Sequence, residues 1–344
     1  MIFINIGYIK KADIPVKIIE RVKQFLGIIK KEQYDVGTVY KIPRNIKEKK
    51  QEKFIQKFIN ELKKVKIDTV VFSEEIINSN LYEGIVDEIC KVNKGIVNGK
   101  RLMQYMNFDI FEYILKIQKE PMNKQDVFFM IKKDNNMDLQ FLEPYIENCK
   151  TVNIVTNDME RFKKVQDNLY EKEDILISVS NNKNKALKKA KYIFNVNMTK
   201  SEMKKYKIDR NAIIINLKEN VKIDDTSFEG ININYFQISI PDDYIEKYEV
   251  FCKENEFDIV KIYESILLRK IQSQKAKSVM LSKTDLKKRK NIEADIIKKD
   301  NVKITGLIGN NGRIDENEII KNAKWTQTTK WKFSEKLDKI KTIV

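Results

Sequence analysis

The sequence contains no histidine. That removes the commonest general base, the commonest metal ligand and the ordinary charge switch near neutral pH. Ser–His–Asp and Cys–His constellations are excluded outright. Cysteine is scarce as well. Cys90, Cys149 and Cys252 are widely spaced and form no CxxC pair, which argues against a zinc or dithiol site and suits a reducing cytoplasm. Apolar runs such as Ala212–Asn216 are far too short to span a bilayer. The opening MIFINIGYIKKADIP lacks a basic stretch ahead of its apolar run, so it reads as a first strand rather than a signal peptide. A cytoplasmic location is the expectation.

Glycine is missing where it matters most. None occurs between Gly99 and Gly230, although this stretch has the strand–helix alternation of a dinucleotide-binding domain. Arginine is confined to isolated positions such as Arg101, Arg161, Arg210 and Arg313.

What is present is lysine. The formal net charge is +16, from 66 basic against 50 acidic residues. Such a balance suggests anionic partners. The joint abundance of Lys, Ile and Asn also follows from an AT-rich genome, and arginine does most bidentate phosphate and base reading. Nucleic-acid association therefore stands only as an alternative. A hydrophobic fraction of 42% with 34% charged residues belongs to a folded, globular chain, and 344 residues suffice for two domains.

Periodicity supplies the architecture. Ile2–Ile6 reads as a strand and residues 14–31 as a helix. Val36–Ile42 is a second strand, and Phe54, Ile55, Phe58, Ile59 and Leu62 make a helical stripe. Residues 68–72 form a strand, Leu81–Val92 a helix and Gly95–Gly99 a break. A long amphipathic helix follows from Arg101 to Lys119, stopped by Pro121. The second ladder has strands at Asp126–Ile131, Thr151–Thr156, Ile175–Val179, Tyr192–Val196, Asn211–Leu217 and Ile231–Ile240. Helices are expected at Met159–Lys172 and Lys185–Lys191. Continuous apolar runs of this kind suit strands buried on both faces of a parallel sheet.

Thr151–Leu169, followed by ALKKAKYIFNVN at Ala186–Asn197, resembles the nucleotide-binding domain of the shikimate dehydrogenase type. In that family a strand with the ribose-recognition turn precedes a helix, and a later strand ending in Asn closes the site. The likeness spans residues 126–240 and lacks the glycine-rich turn. The chain as a whole is similar to proteins of low-GC Gram-positive bacteria, a likeness that implies no activity.

Beyond Pro241, residues 244–272 read as helical and 275–299 as a charged linker or exposed helix. Residues 302–308 form a strand, and Asn310-Asn311-Gly312 is a turn signal. Phe333, Leu337, Ile340 and Val344 place one apolar face on a basic terminal helix, suited to its own domain, a partner or a membrane surface. The expected organisation is α/β throughout. A parallel βα layer spans 1–98, a connecting helix 99–121 and a degenerate Rossmann-like domain 122–241. A small basic extension covers 242–344.

The first turn of the second ladder would have to receive a pyrophosphate on bare backbone N–H groups. It offers Lys132, Lys133, Asp134, Asn135 and Asp138 instead. Asp138 suits the cap of a following helix, and a carboxylate there competes with phosphate. Pro144 either kinks that helix or begins a later one. Asn157 and Asp158, after the second strand, are the candidates for a ribose, although Asp158 also suits a helix cap. Asn157, Asn181, Asn182, Asn195, Asn197 and Asn216 fall at predicted strand ends, where open α/β sheets bind ligands. Turn preference accounts for asparagine at such positions equally well. Candidate ligand-binding residues are thus Asp134, Asn135, Asn157, Asp158, Asn181, Asn195 and Asn197. No catalytic or metal-ligating residue is identified. The reading is of a non-catalytic binding or regulatory protein for a small polar ligand or a protein partner, with no cofactor. The alternatives are an NAD(P)-linked oxidoreductase with an atypical phosphate turn and a basic nucleic-acid-associated protein.

Overall fold

A computed structural model describes residues 2–6, 29–35, 37–43, 46–65, 69–92, 95–132, 140–173, 175–223, 226–240, 243–279 and 292–323. The chain forms two compact units, each assembled from two stretches. One takes Met1–Gly99 and Ile240–Val302, the other Lys100–Ser239 and the return from Lys303.

The first unit holds a five-stranded sheet in the order β2-β3-β1-β4-β5. Its strands are β1 (Ile2–Ile6), β2 (Lys30–Tyr34), β3 (Gly37–Ile42), β4 (Thr69–Phe72) and β5 (Gly95–Val97). All pairs are parallel except β2 with β3. Strand β4 is buried at every position, as a strand covered on both faces should be. Helix α1 (Glu48–Lys63) buries the stripe Phe54, Ile55, Phe58, Ile59 and Leu62. Helix α2 (Glu74–Ile77) follows β4, and α3 (Tyr82–Lys91) joins the same core through Ile85 and Ile89. Val39, Val71 and Val97 form a second core with Phe251 and Ile262.

Two expectations change in this unit. Lys30–Tyr34 is an antiparallel edge strand, where a helix was expected to run to residue 31. Pairing with β3 accounts for the difference, and Glu32 supports it through an ion pair to Lys41 across the two strands at 2.7 Å and one to Lys30 along its own strand at 2.6 Å. The rest of the expected helix, up to residue 28, lies outside the described residues. Gly95–Val97 is a strand rather than a break, because Val97 supplies core to the sheet.

The second unit opens with two helices, α4 (Lys100–Tyr105) and α5 (Asn107–Gln118), where one was expected; Met106 between them has left helical geometry. Its main sheet is six-stranded and wholly parallel, in the order β11-β10-β9-β6-β7-β8. The strands are β6 (Asp126–Ile131), β7 (Thr151–Thr156), β8 (Ile177–Ser180), β9 (Tyr192–Asn195), β10 (Ile213–Asn216) and β11 (Ile231–Ile233). Counted from β6, the spatial order is third, second, first, fourth, fifth, sixth, the doubly wound order of the Rossmann fold.

Alternation along the strands separates two faces. Phe129, Tyr192 and Phe194 point to one and meet Phe111 of α5 and Tyr145 of α6 (Glu143–Asn148). Pro144 sits in the first turn of α6, where its missing N–H costs no helical bond. The hydroxyls of Tyr145 and Tyr192 donate to Asn107 and Gln118, at the two ends of α5. Met130, Val155, Ile193 and Ile214 point the other way.

Helix α7 (Met159–Glu173) links β7 to β8. Among the described residues, the next three crossovers contain the one-turn helix α8 (Lys200–Met203) and no other helix. The expected helix at 185–191 is a run of turns. A capping box between Thr199 and Glu202 holds α8, with Thr199 N–H donating to Glu202 Oε2 at 2.9 Å.

The expected strand at 231–240 is split. Residues 231–233 belong to the parallel sheet, whereas β12 (Tyr235–Ser239) pairs antiparallel with β13 (Lys303–Gly309). Asn234 makes the change of sheet and donates its N–H to Ile308 O at 2.9 Å. Strand β14 (Gly312–Arg313) closes a hairpin on β13 at the Asn310–Asn311 turn. Helix α9 (Asp243–Asn255) and helix α10 (Ile259–Val279) return to the first unit, as does α11 (Ile292–Lys299). The apolar face at Phe333–Val344 lies outside the described residues.

The glycines that bound the glycine-free stretch are both required by backbone. Gly99 has φ of 82°, and a Cβ on Gly230 would stand 2.1 Å from Ala212 O.

Candidate functional site

In an open doubly wound sheet the ligand crevice lies beyond the carboxyl ends of the strands, where the order reverses. Here that point falls between β6 and β9. Two hydrogen bonds span it. Val196 N–H donates to Met130 O at 3.0 Å, and Lys132 N–H donates to Asn197 Oδ1 at 2.7 Å. Lys132 N–H is the first backbone donor past β6, one of the groups a phosphate on this turn would draw on. The Lys132 ammonium ion-pairs with Glu202 at 3.1 Å. The hydrogen bond from Thr199 N–H and the pairing with Lys132 hold the Glu202 carboxyl below the usual carboxylate range, against the opposing effect of burial. Lys133, Asp134, Asn135 and Asp138 lie outside the described residues.

Asn195 ends β9 and is buried. Its Oδ1 accepts Met198 N–H at 2.9 Å, and its Nδ2 donates to Met198 O and to Asn216 Oδ1, both at 3.0 Å. Asn216, at the end of β10, is 0% exposed. It donates to Asn232 Oδ1 at 2.8 Å and Asn234 Oδ1 at 3.0 Å. Asn234 also accepts Val221 N–H and donates to Asn310 Oδ1. Five carboxamides thus form one connected network across the ends of β9, β10 and β11. Carboxamides suit this because each carries both acceptor and donor sites.

Lys100 closes the network from below. Its ammonium donates to the backbone carbonyls of Asn216 and Asn234, and Met103 Sδ lies 3.8 Å away. Burial lowers the Lys100 pKa from 10.5 to about 8. A lysine so shifted is a candidate for chemistry in a cleft. This one is committed to carbonyls that would otherwise be buried acceptors.

The remaining candidates are dispersed. Asn157 is exposed, and its Oδ1 accepts the Tyr206 hydroxyl at 3.3 Å. Asp158 is half-buried, and its N–H donates to Thr156 Oγ1 at 3.0 Å in the turn before α7. Asn181 is exposed beyond β8, while Asn182 accepts the N–H groups of Asn184 and Lys185. Of the candidates, the fold ties Asn195 and Asn197 into its own hydrogen bonding at β9. It leaves Asn157, Asp158 and Asn181 beyond β7 and β8. Asn232, Asn234, Asn310 and Lys100 were not foreseen as one group. The alternation Ile231-Asn232-Ile233-Asn234 is the signal that two of them carried.

Among the described residues, no group of three or more Cys, Asp or Glu side chains could hold a metal ion. No helix formed by the described residues is long and apolar enough to cross a membrane.

No protein-family model matches the chain, and neither does any curated protein. Solved structures are similar at the level of outline. One is the crystal structure of L-tryptophan dehydrogenase from Nostoc punctiforme. It is 10% identical, with 77% of each chain covered and a TM-score of 0.31. Another is a protein assigned as an aspartate carbamoyltransferase from Trypanosoma cruzi. It is 13% identical over 62% of this chain and 68% of that one, with a TM-score of 0.23. The chain has a Rossmann-like α/β fold by its own strand order.

Proposed function

We propose that this chain is a non-catalytic binding protein, built on a Rossmann-type sheet that holds no dinucleotide. The observation that carries the reading is the hydrogen bond from Lys132 N–H to Asn197 Oδ1 at the switch point. A phosphate seated there would have to displace the half-buried Asn197 carboxamide and then compete with Glu202 for Lys132. The Asn195–Asn216–Asn234 network supports the same reading, because its amides are spent on one another. Removing one partner from such a network leaves buried polar groups unsatisfied, at about 1–3 kcal/mol each. A ligand that recruited these amides would meet that cost.

The competing reading is an NAD(P)-linked oxidoreductase, favoured by the retained strand order. Thermal unfolding with NAD, NADH, NADP, NADPH and ATP separates the two, since a ligand that binds only the native state raises the melting temperature. The expected result is no shift that Asp158→Ala abolishes. A clear rise with a dinucleotide, abolished by Asp158→Ala, would overturn the proposal.

A further inference from the structure

Among the described residues, the second face of the six-stranded sheet is thinly covered, and its cover has an unusual composition. Between β8 and β11 the chain has three crossovers, with a single helical turn, Lys200–Met203, among the described residues. The gap left there is a groove of about 670 Å³. Its apolar lining comes from Met203, Tyr206, Ile208, Val221, Ile223 and Phe228. Its charged lining is Lys188, Lys200, Lys204, Lys207, Lys222 and Arg210; no carboxylate stands among the described lining residues, and Arg210 ion-pairs with Glu229 beside the groove at 3.6 Å. Asp224 and Asp225 follow Ile223 in sequence and lie outside the described residues.

We infer that this groove binds a small anionic molecule with an aromatic or hydrocarbon body. The volume falls in the range of about 300–1,000 Å³ typical of small-molecule sites. The apolar residues continue the core that contains Met130, Ile193 and Ile214, so the floor is fixed by the sheet itself. Tyr206 is anchored there through its hydroxyl to Asn157, which leaves its ring as wall. Concave apolar walls ringed by charge of one sign focus the field and raise the local concentration of counter-charged ligand. A solvated lysine face needs no floor of this kind, and α7 shows that alternative, with Lys164 paired only to Glu160 of its own helix. The single arginine and the closed apolar floor suit one compact anion better than an extended phosphate backbone.

The inference deepens the proposed function by naming the ligand class of the binding protein. The test uses the intact protein and the dye 8-anilinonaphthalene-1-sulfonate, with its neutral analogue N-phenyl-1-naphthylamine. The sulfonate is expected to saturate at one site per chain, at least tenfold more tightly than the neutral dye, and to weaken as salt rises. Lys204→Glu with Lys207→Glu should weaken it at least tenfold. Lys204→Gln with Lys207→Gln, which introduces no new charge, should give a smaller loss in the same direction. Equal affinity for the two dyes, no saturable signal, or unchanged affinity in both double variants would overturn the inference. Lys164→Gln, on the solvated face of α7, should leave dye affinity unchanged. A dinucleotide shift lost in Asp158→Ala strikes the proposed function, and the dye result alone decides the groove.

Discussion

The two faces of the six-stranded sheet are covered in opposite ways. One face stacks Phe129 on Phe194 at 4.8 Å between centroids and sets Tyr145 and Phe111 edge-on to them, under ordered helices. Buried tyrosine hydroxyls there are answered by α5. The other face is aliphatic, with Met, Val and Ile under turns rich in lysine. Aromatic rings and helices fill one face with the chain's own side chains. A face closed by loops leaves a cavity, and the charge on those loops sets what could enter it.

Substitutions that empty each face should bring out this contrast most strongly. Phe194→Ala should lower unfolding free energy by about 3–5 kcal/mol, because rigid helices cannot collapse into the space. Met203→Ala, under the thin cover, should cost about 2 kcal/mol, at the low end for a large-to-small change. Denaturant unfolding of both variants checks the difference, and equal losses would remove it.

The amide network gives the next effect. Asn216→Asp keeps the shape but sets a carboxylate against the oxygens of Asn232 and Asn234. The loss at neutral pH should be about 3 kcal/mol, from two repulsive oxygen contacts and the lost donors. The introduced group should have its folded pKa raised above its unfolded value. Its defect should then be smallest below pH ~4 and grow as pH rises through that window. Unfolding across pH 3.5–7 measures this, and a defect flat in pH would contradict it.

Lys100 titrates in the opposite sense. Its folded pKa of about 8 lies below the ordinary 10.5, so the native state favours the uncharged amine. Native stability from this group should therefore rise as pH climbs from about 8 to 10.5. Relative to Lys100→Met, the wild type should gain on the order of 2–3 kcal/mol over that interval. A gain in the wild type no larger than in the variant would show that the ammonium is not desolvated.

The smallest effect belongs to the first unit. Burial pushes the Glu32 carboxyl up, but hydrogen bonds from Lys30, Lys41 and Tyr34 outweigh it and bring it down to about 2. Its contribution is present above the ordinary value of 4.5 and lost as pH falls through about 2. Lys30 is largely exposed, so solvent screening limits the cost of Glu32→Gln to about 1 kcal/mol at pH 7. Acid unfolding of the variant should show a shallower pH dependence than the wild type.

Much of the fold was legible in the residue pattern. DVFFMI, TVNIVT and the IIIN run became strands because their apolar continuity demands burial on both faces. Errors fell where local pattern and tertiary pairing compete. Lys30–Tyr34 carries helix-compatible charge, and only its partner across the strands made it an edge. Asn234 sits inside an apolar run, and only the arrival of β13 split that run between two sheets. At the candidate site, asparagines at strand ends were readable. Which of them would be spent on one another was not, because hydrogen-bond partners such as Asn195 and Asn216 lie 21 residues apart.

By itself the sequence determined the βα ladder and the absence of histidine chemistry, because apolar periodicity and residue inventory are local properties. It also showed that the turn after β6 lacks glycine. The tertiary structure alone decided that Asn197 takes Lys132 N–H, that Lys100 serves the network, and that six basic side chains surround one apolar groove. Those outcomes depend on which distant crossovers meet over the sheet, and no window of sequence contains both partners.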